Sequence, residues 1–169
     1  LDDAPSDGRL TWETPLPAGA PRSASSGAQL RERAATGSSD PPAVLPAGEV
    51  VVLTAYGSLF FASAQVVESQ LPEVVEGSAG AVVVLRLRGK EDLGSTFIQA
   101  ILRYDTTLRA AGCHLVLAGV GESVMRQLTR TGALETLGRE NVFAADPGVT
   151  VSLQAAIARA HELQGLSPT

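Results

Sequence analysis

The 169-residue chain is predicted to fold as an α/β domain on a mostly parallel sheet, and three features of the sequence lead there. Short β-branched apolar runs alternate with stretches of helical periodicity from residue 49 onward. One run, AVVVLRLR (Ala81 to Arg88), is continuously apolar at its start, as a strand covered on both faces must be. Glycines fall where the helical periodicities end, the usual chemistry of a helix C-terminus. The alternation implies right-handed crossovers between parallel strands, with about four to five strands and about four helices.

Composition shifts near residue 48. Seven of the ten prolines (Pro5, Pro15, Pro17, Pro21, Pro41, Pro42 and Pro46) precede it, mixed with Ser, Gly, Ala and Asp. Residues 1–48 are therefore a lead-in, and segment 18–43 is expected to be disordered because it buries too little apolar surface to offset its chain entropy. RLTWE (Arg9 to Glu13) alternates and carries the only tryptophan. It reads equally as an edge strand near 9–14 or as a juxtamembrane remnant.

VVVLTAY (Val50 to Tyr56) is a β-branched run closed by Gly57-Ser58, after which LFFA is expected to resume as a short strand. A helix is predicted over Ala64 to Glu76, with Val67, Leu71 and Val74 on one face and a kink or end near Pro72. Ala81 to Arg88 follows as the buried strand. Phe97, Ile101, Tyr104 and Leu108 mark the next helix, closed by Gly112. Cys113 to Gly119 is a strand, Glu122 to Thr131 a helix closed by Gly132, and Asn141 to Phe143 a short strand. A final helix over 149–163 places Leu153, Ile157 and Ala160 on one side. The domain is read as 49–164, with residues 165–169 as a tail.

Charge and cysteine content narrow the function classes. A net charge of −5 argues against nucleic acid as a partner. A single cysteine excludes an intrachain disulfide framework. The chain opens on Leu1 and its only methionine is Met125, so it is expected to be a piece of a longer protein. Val50 to Val67 is uncharged over 18 residues, the length of a short membrane span, but Thr54, Gly57, Ser58, Ser63 and Gln65 favour a strand, turn and helix instead.

Catalytic and metal patterns are weak. Cys113 and His114 are strand neighbours and so point to opposite faces, which prevents joint chelation. No G-x-S-x-G elbow occurs. Gly119-Val120-Gly121-Glu122-Ser123-Val124 follows a strand and opens a helix as a dinucleotide fingerprint does. Val124 stands where the third glycine belongs, and Glu122 would repel phosphate, so a tight turn is the better reading. Glu91 and Asp92 read as solvated turn acids.

The remaining candidate is the loop Gly89-Lys90-Glu91-Asp92-Leu93-Gly94-Ser95-Thr96, which holds the only lysine. Asp92 is expected to cap the following helix. Ser95 and Thr96 then sit at its N-terminus, where free N–H groups and the helix dipole would accept an added phosphate.

At this loop the chain resembles a STAS domain. The resemblance runs over about residues 49–164 through VVVLTAYGSLFFASA (Val50 to Ala64), VVVLRLRG (Val82 to Gly89), DLGSTF (Asp92 to Phe97), LVLAGV (Leu115 to Val120) and LTRTGALETLGRENVF (Leu128 to Phe143). STAS domains occur as the cytoplasmic C-terminal part of SulP-type (sulfate permease) anion transporters and as stand-alone anti-sigma-factor antagonists. YGSLFFASA is similar to the transporter branch. The resemblance implies a non-enzymatic regulatory domain on the cytoplasmic face of the membrane. It would modulate transport, assembly or targeting through the transmembrane domain of the same polypeptide, a homodimer or a cytosolic partner. Lys90, Asp92, Gly94, Ser95 and Thr96 are its contact or ligand candidates. No cofactor is required, although the family raises nucleotide or anion binding.

The alternative, an antagonist acting by partner switching, needs a phosphorylated residue in a D-S-[ST]-G loop. If Asp92 matches that aspartate, Leu93 replaces the first serine and Gly94, which has no hydroxyl, stands at the acceptor position. Ser95 or Thr96 could serve only through a shifted alignment.

Overall fold

A computed structural model describes residues 9–13, 41–57, 59, 61–87, 89–148 and 151–166. Five strands form one sheet in the order β1-β2-β3-β4-β5. They are β1 (Arg9–Glu13), β2 (Val50–Tyr56), β3 (Val82–Arg86), β4 (His114–Val120) and β5 (Val142–Ala144). β1 is antiparallel to β2, and the other three pairings are parallel. The helices are α1 (Phe61–Ser69), α2 (Ser95–Ala110), α3 (Glu122–Arg130), α4 (Ala133–Leu137) and α5 (Val151–Leu166).

This order dictates the layering. Parallel strands laid side by side in chain order, each joined by a right-handed crossover, must carry all the connecting helices on one face. α1 to α4 accordingly cover one face of the sheet. Val51, Leu53, Val83, Leu85, Leu115 and Leu117 point into that core, where they meet Val67, Phe97, Ile101, Leu108, Val124 and Leu128. The intervening strand residues Val50, Val52, Val82, Val84, Val116 and Ala118 face the other way, onto Ala156, Ala160 and Leu163 of α5. With a side-chain period of two, two-sided burial requires the unbroken valine runs seen in the sequence.

RLTWE is an edge strand, with Leu10 opposite Ala55 and Trp12 opposite Leu53. Leu10 is buried in the larger core, and its N–H donates to Gln70 Oε1 at 2.8 Å. Of the segment 18–43, residues 18–40 lie outside the described residues. Its end is folded: Glu73 N–H donates to Ala43 O at 2.8 Å, Leu45 N–H donates to Glu73 O at 2.9 Å, and Leu45 is buried. At the other terminus α5 runs to Leu166.

Two local expectations are corrected. LFFA does not resume as a strand, because Phe61 already begins α1. The predicted helix over Ala64 to Glu76 is therefore shifted toward the N-terminus and ends at Ser69. Pro72 disfavours helical backbone at Leu71, and the chain leaves α1 through tight turns in which Gln70 and Leu71 N–H groups donate to Val67 O and Glu68 O. Leu71 and Val74 still pack on the core, but from an irregular stretch that the Tyr104 hydroxyl ties to α2 by donating to Pro72 O at 2.9 Å. The stretch Val50 to Val67 is β2, a turn and most of α1. Among the described residues no helix is long and apolar enough to cross a membrane.

Candidate functional site

The loop from Gly89 to Gly94 lies at the C-terminal end of β3, where open α/β sheets usually place their sites. Gly89 has φ +77°, a left-handed conformation that any side chain would strain, and it turns the chain out of β3. Three contacts then pin the loop. Lys90 Nζ donates to Gly57 O in the turn after β2. Gly94 N–H donates to Leu59 O at 3.2 Å. From α3, the Gln127 amide grips Leu93 at both ends: Leu93 N–H donates to Oε1 at 3.0 Å, and Nε2 donates to Leu93 O at 2.5 Å.

Beneath these polar contacts, Leu59, Leu93 and Phe97 are each about 1% exposed and belong to the larger core. Leu93, which stands where the resemblance expects a serine, is thus an apolar anchor. Glu91, Asp92 and Ser95 remain exposed, and Thr96 is half-buried. The loop therefore presents acidic and hydroxyl groups on a backbone held from three directions.

Asp92 does not cap α2. The N-cap position belongs to Gly94, which is extended at φ −63°, ψ 147°, and no side chain bonds the first turn. The loop seats Leu93 in the core, which leaves Asp92 two residues before the N-cap and out in solvent. Ser95 and Thr96 are, as predicted, the first two residues of α2. Gly94 is buried.

Lys90 is committed to the Gly57 carbonyl, and partial burial pushes its ammonium below the ordinary lysine range. Gln127, Leu59 and Gly57 complete the loop's support. Gln127 is not legible in the sequence, because a glutamine beside the buried Leu128 carries no local sign that it will meet a loop 34 residues away.

The other motifs resolve into structure. Gly121 is the N-cap of α3, and a Cβ there would lie 3.4 Å from Lys90 O, so this glycine lets the α3 turn approach the loop. Cys113 is buried with its thiol 3.0 Å from Ser78 O, and burial raises its pKa. His114 is half-buried at the opposite end of the sheet. Among the described residues no group of three or more His, Cys, Asp and Glu could hold a metal ion.

Comparison with known proteins agrees with this architecture. The family model of the STAS domain matches residues 42–145. Among curated proteins none matches the chain. A crystal structure of a sulfate transporter family protein from Wolinella succinogenes is similar at 28% identity, with 71% of this chain and 90% of that one covered and a TM-score of 0.53. A structure of murine Solute Carrier 26 family member A9, an anion transporter in the inward-facing state, shares the fold at 14% identity and a TM-score of 0.59 over 92% of this chain. A second SLC26A9 structure does so at 13% identity and a TM-score of 0.55. The chain spans 22% and 24% of those two proteins, respectively. With a family model matched over more than half its length and the fold that model implies, the chain belongs to the STAS domain family.

Proposed function

We propose that the chain is a non-catalytic regulatory and interaction domain of a SulP-type anion transporter. It is held on the cytoplasmic face of the membrane by a transmembrane domain of the same polypeptide. The observation that carries this reading is the pinned loop Gly89–Gly94 with the start of α2. Clamped by Gly57, Leu59 and Gln127, it offers Glu91, Asp92 and Ser95 to a partner at little conformational cost on docking. That partner is the membrane domain, another protomer or a cytosolic protein, and the contact modulates transport, assembly or targeting. The likeness to a sulfate transporter family protein supports the transporter branch. Partner switching of the antagonist kind is disfavoured because Gly94 has no hydroxyl and is buried. Phosphorylation at Ser95, exposed in the first turn of α2, would place its charge where the helix dipole favours it.

Two measurements test this. The coding sequence upstream of Leu1 should specify about ten or more hydrophobic spans of about 20 residues each; a stop codon immediately before Leu1 overturns the reading. In the full-length polypeptide, the double substitution Glu91→Lys and Asp92→Lys should lower anion uptake or surface delivery several-fold while the isolated domain keeps its melting temperature. Unchanged uptake and delivery would remove the loop from the proposal.

A further inference from the structure

A depression of about 470 Å³ lies at the end of the sheet opposite the loop, lined among others by Arg109, His114, Asn141 and Arg159. Three elements build it. Arg109 comes from the last turn of α2, His114 opens β4, and Arg159 reaches over from α5. Asn141 belongs to the turn between α4 and β5 and is buried.

The cationic side chains are held in place but not saturated. Arg109 Nε pairs with the buried Asp105 carboxylate at 3.0 Å, and its Nη2 donates to Thr136 O and Leu137 O at 3.1 and 2.9 Å. Its Nη1 has no partner among the described residues. Arg159 has only 21% of its side chain exposed; Nε donates to Asn141 Oδ1 at 3.1 Å and Nη1 to Glu162 Oε2 at 3.2 Å. Its Nη2 is likewise uncommitted, and neither ring nitrogen of His114 has a partner among the described residues. Asn141 is itself fixed, since its Nδ2 donates to Leu137 O at 3.1 Å.

Two acids outside the lining pair with its arginines. Asp105 is neutralised by Arg109 and Glu162 by Arg159. Glu135 and Glu140 line the depression itself; Glu135 is paired with Arg139 at 2.6 Å, and Glu140 is exposed. Beside these acids the depression gathers unused N–H donors from two guanidiniums and an imidazole, a donor set that suits a tetrahedral oxyanion.

We propose that the depression between α2, β4 and α5 binds a phosphate or sulfate group through Arg109, His114 and Arg159, with Asn141 positioning the Arg159 guanidinium. The volume exceeds that of a bare oxyanion and falls in the range of small-molecule sites, so the group is either free or carried on a small organic body. Occupancy would tie α5 to the rest of the domain, because Arg159 is its only contribution to the donor set. The site is independent of the loop at the other end of the sheet and stands whether or not that loop contacts a partner.

The chain has two histidines, which makes the test internal. Unliganded, His114 is held below the ordinary imidazole range, first by burial and then by Arg109 and Arg159, with Asp105 opposing them. An anion seated between those charges reverses their effect and raises the His114 pKa. Imidazole NMR titrations of the whole chain with sodium sulfate, sodium phosphate and glycerol phosphate, at ionic strength fixed with sodium chloride, read this directly. Saturable His114 shifts with an upward pKa move are expected, with exposed His161 unmoved and the affinity at least fivefold weaker in Arg159→Gln. Tighter binding of glycerol phosphate than of both inorganic ions would assign the group to an organic carrier; equal or weaker binding would assign it to the free ion. No saturable shift at millimolar ligand, or an equal shift with chloride alone, overturns the site even if Arg159→Gln fails to fold.

Discussion

The two faces of the sheet are covered in different ways. On one face, among the described residues, four helices bring Val67, Phe97, Ile101, Leu108, Val124, Leu128, Leu134 and Leu137 against the strands. On the other, among the described residues, a single helix meets six strand side chains with buried Ala156, Ala160 and Leu163 and half-buried Leu153 and Ile157. Large interdigitating side chains bury more area and leave larger cavities when cut. Small ones let a helix backbone come close to a valine surface but contribute less per residue. The pinned loop belongs to the first face through Leu59, Leu93 and Phe97, whereas the arginine depression depends on the second through Arg159. The loop is thus built into the core that several helices share, and the depression is bridged by the one helix that covers the other face.

The sharpest test of this asymmetry is Phe97→Ala, expected to lower stability by about 3–5 kcal/mol in urea unfolding, since the ring is about 1% exposed and links the core to the loop. Ala160→Leu should cost less, about 1–3 kcal/mol, because overpacking on the face covered by one helix can be relieved by displacing α5 alone. Equal losses would show that the faces are energetically equivalent. Smaller again is Gln127→Ala, which removes both amide contacts to Leu93 and should cost about 1–2 kcal/mol. Its signature is local: amide exchange should rise from Lys90 to Gly94 and stay unchanged in α5.

The smallest effect concerns pH. His114 in the folded domain is below its ordinary value of 6.5, so the unfolded chain takes up the proton first as pH falls. Stability should therefore decline from above pH 6.5 toward the lower folded value, and His114→Gln should flatten that part of the profile. A profile identical in the variant would mean that the histidine's surroundings at the α5 end are as wet as open solvent.

Much of the architecture is legible in the sequence. Unbroken valine runs required strands buried on both faces, and Gly112 and Gly132, at φ +76° and +78°, end helices where the periodicity stopped. The errors fell where local pattern was ambiguous. LFFA is too short for periodicity to separate strand from helix, and Leu71 and Val74 kept a helical spacing although Pro72 had already ended the helix. At the loop, Ser95 and Thr96 open α2 as their position implies, but the burial of Leu93 denies Asp92 the capping role its residue type suggests.

What the sequence determined by itself was the alternation of elements, the two-sided burial of the sheet and the position of the loop, because each follows from local periodicity and turn chemistry. Only the tertiary structure decided that RLTWE docks as an edge strand, that Gln127 grips Leu93, and that Arg109, His114 and Arg159 share one depression. The edge-strand and glutamine contacts join residues 60 and 34 positions apart, and Arg159 comes from a different helix than Arg109; groups so separated meet only after the crossovers have brought the elements together.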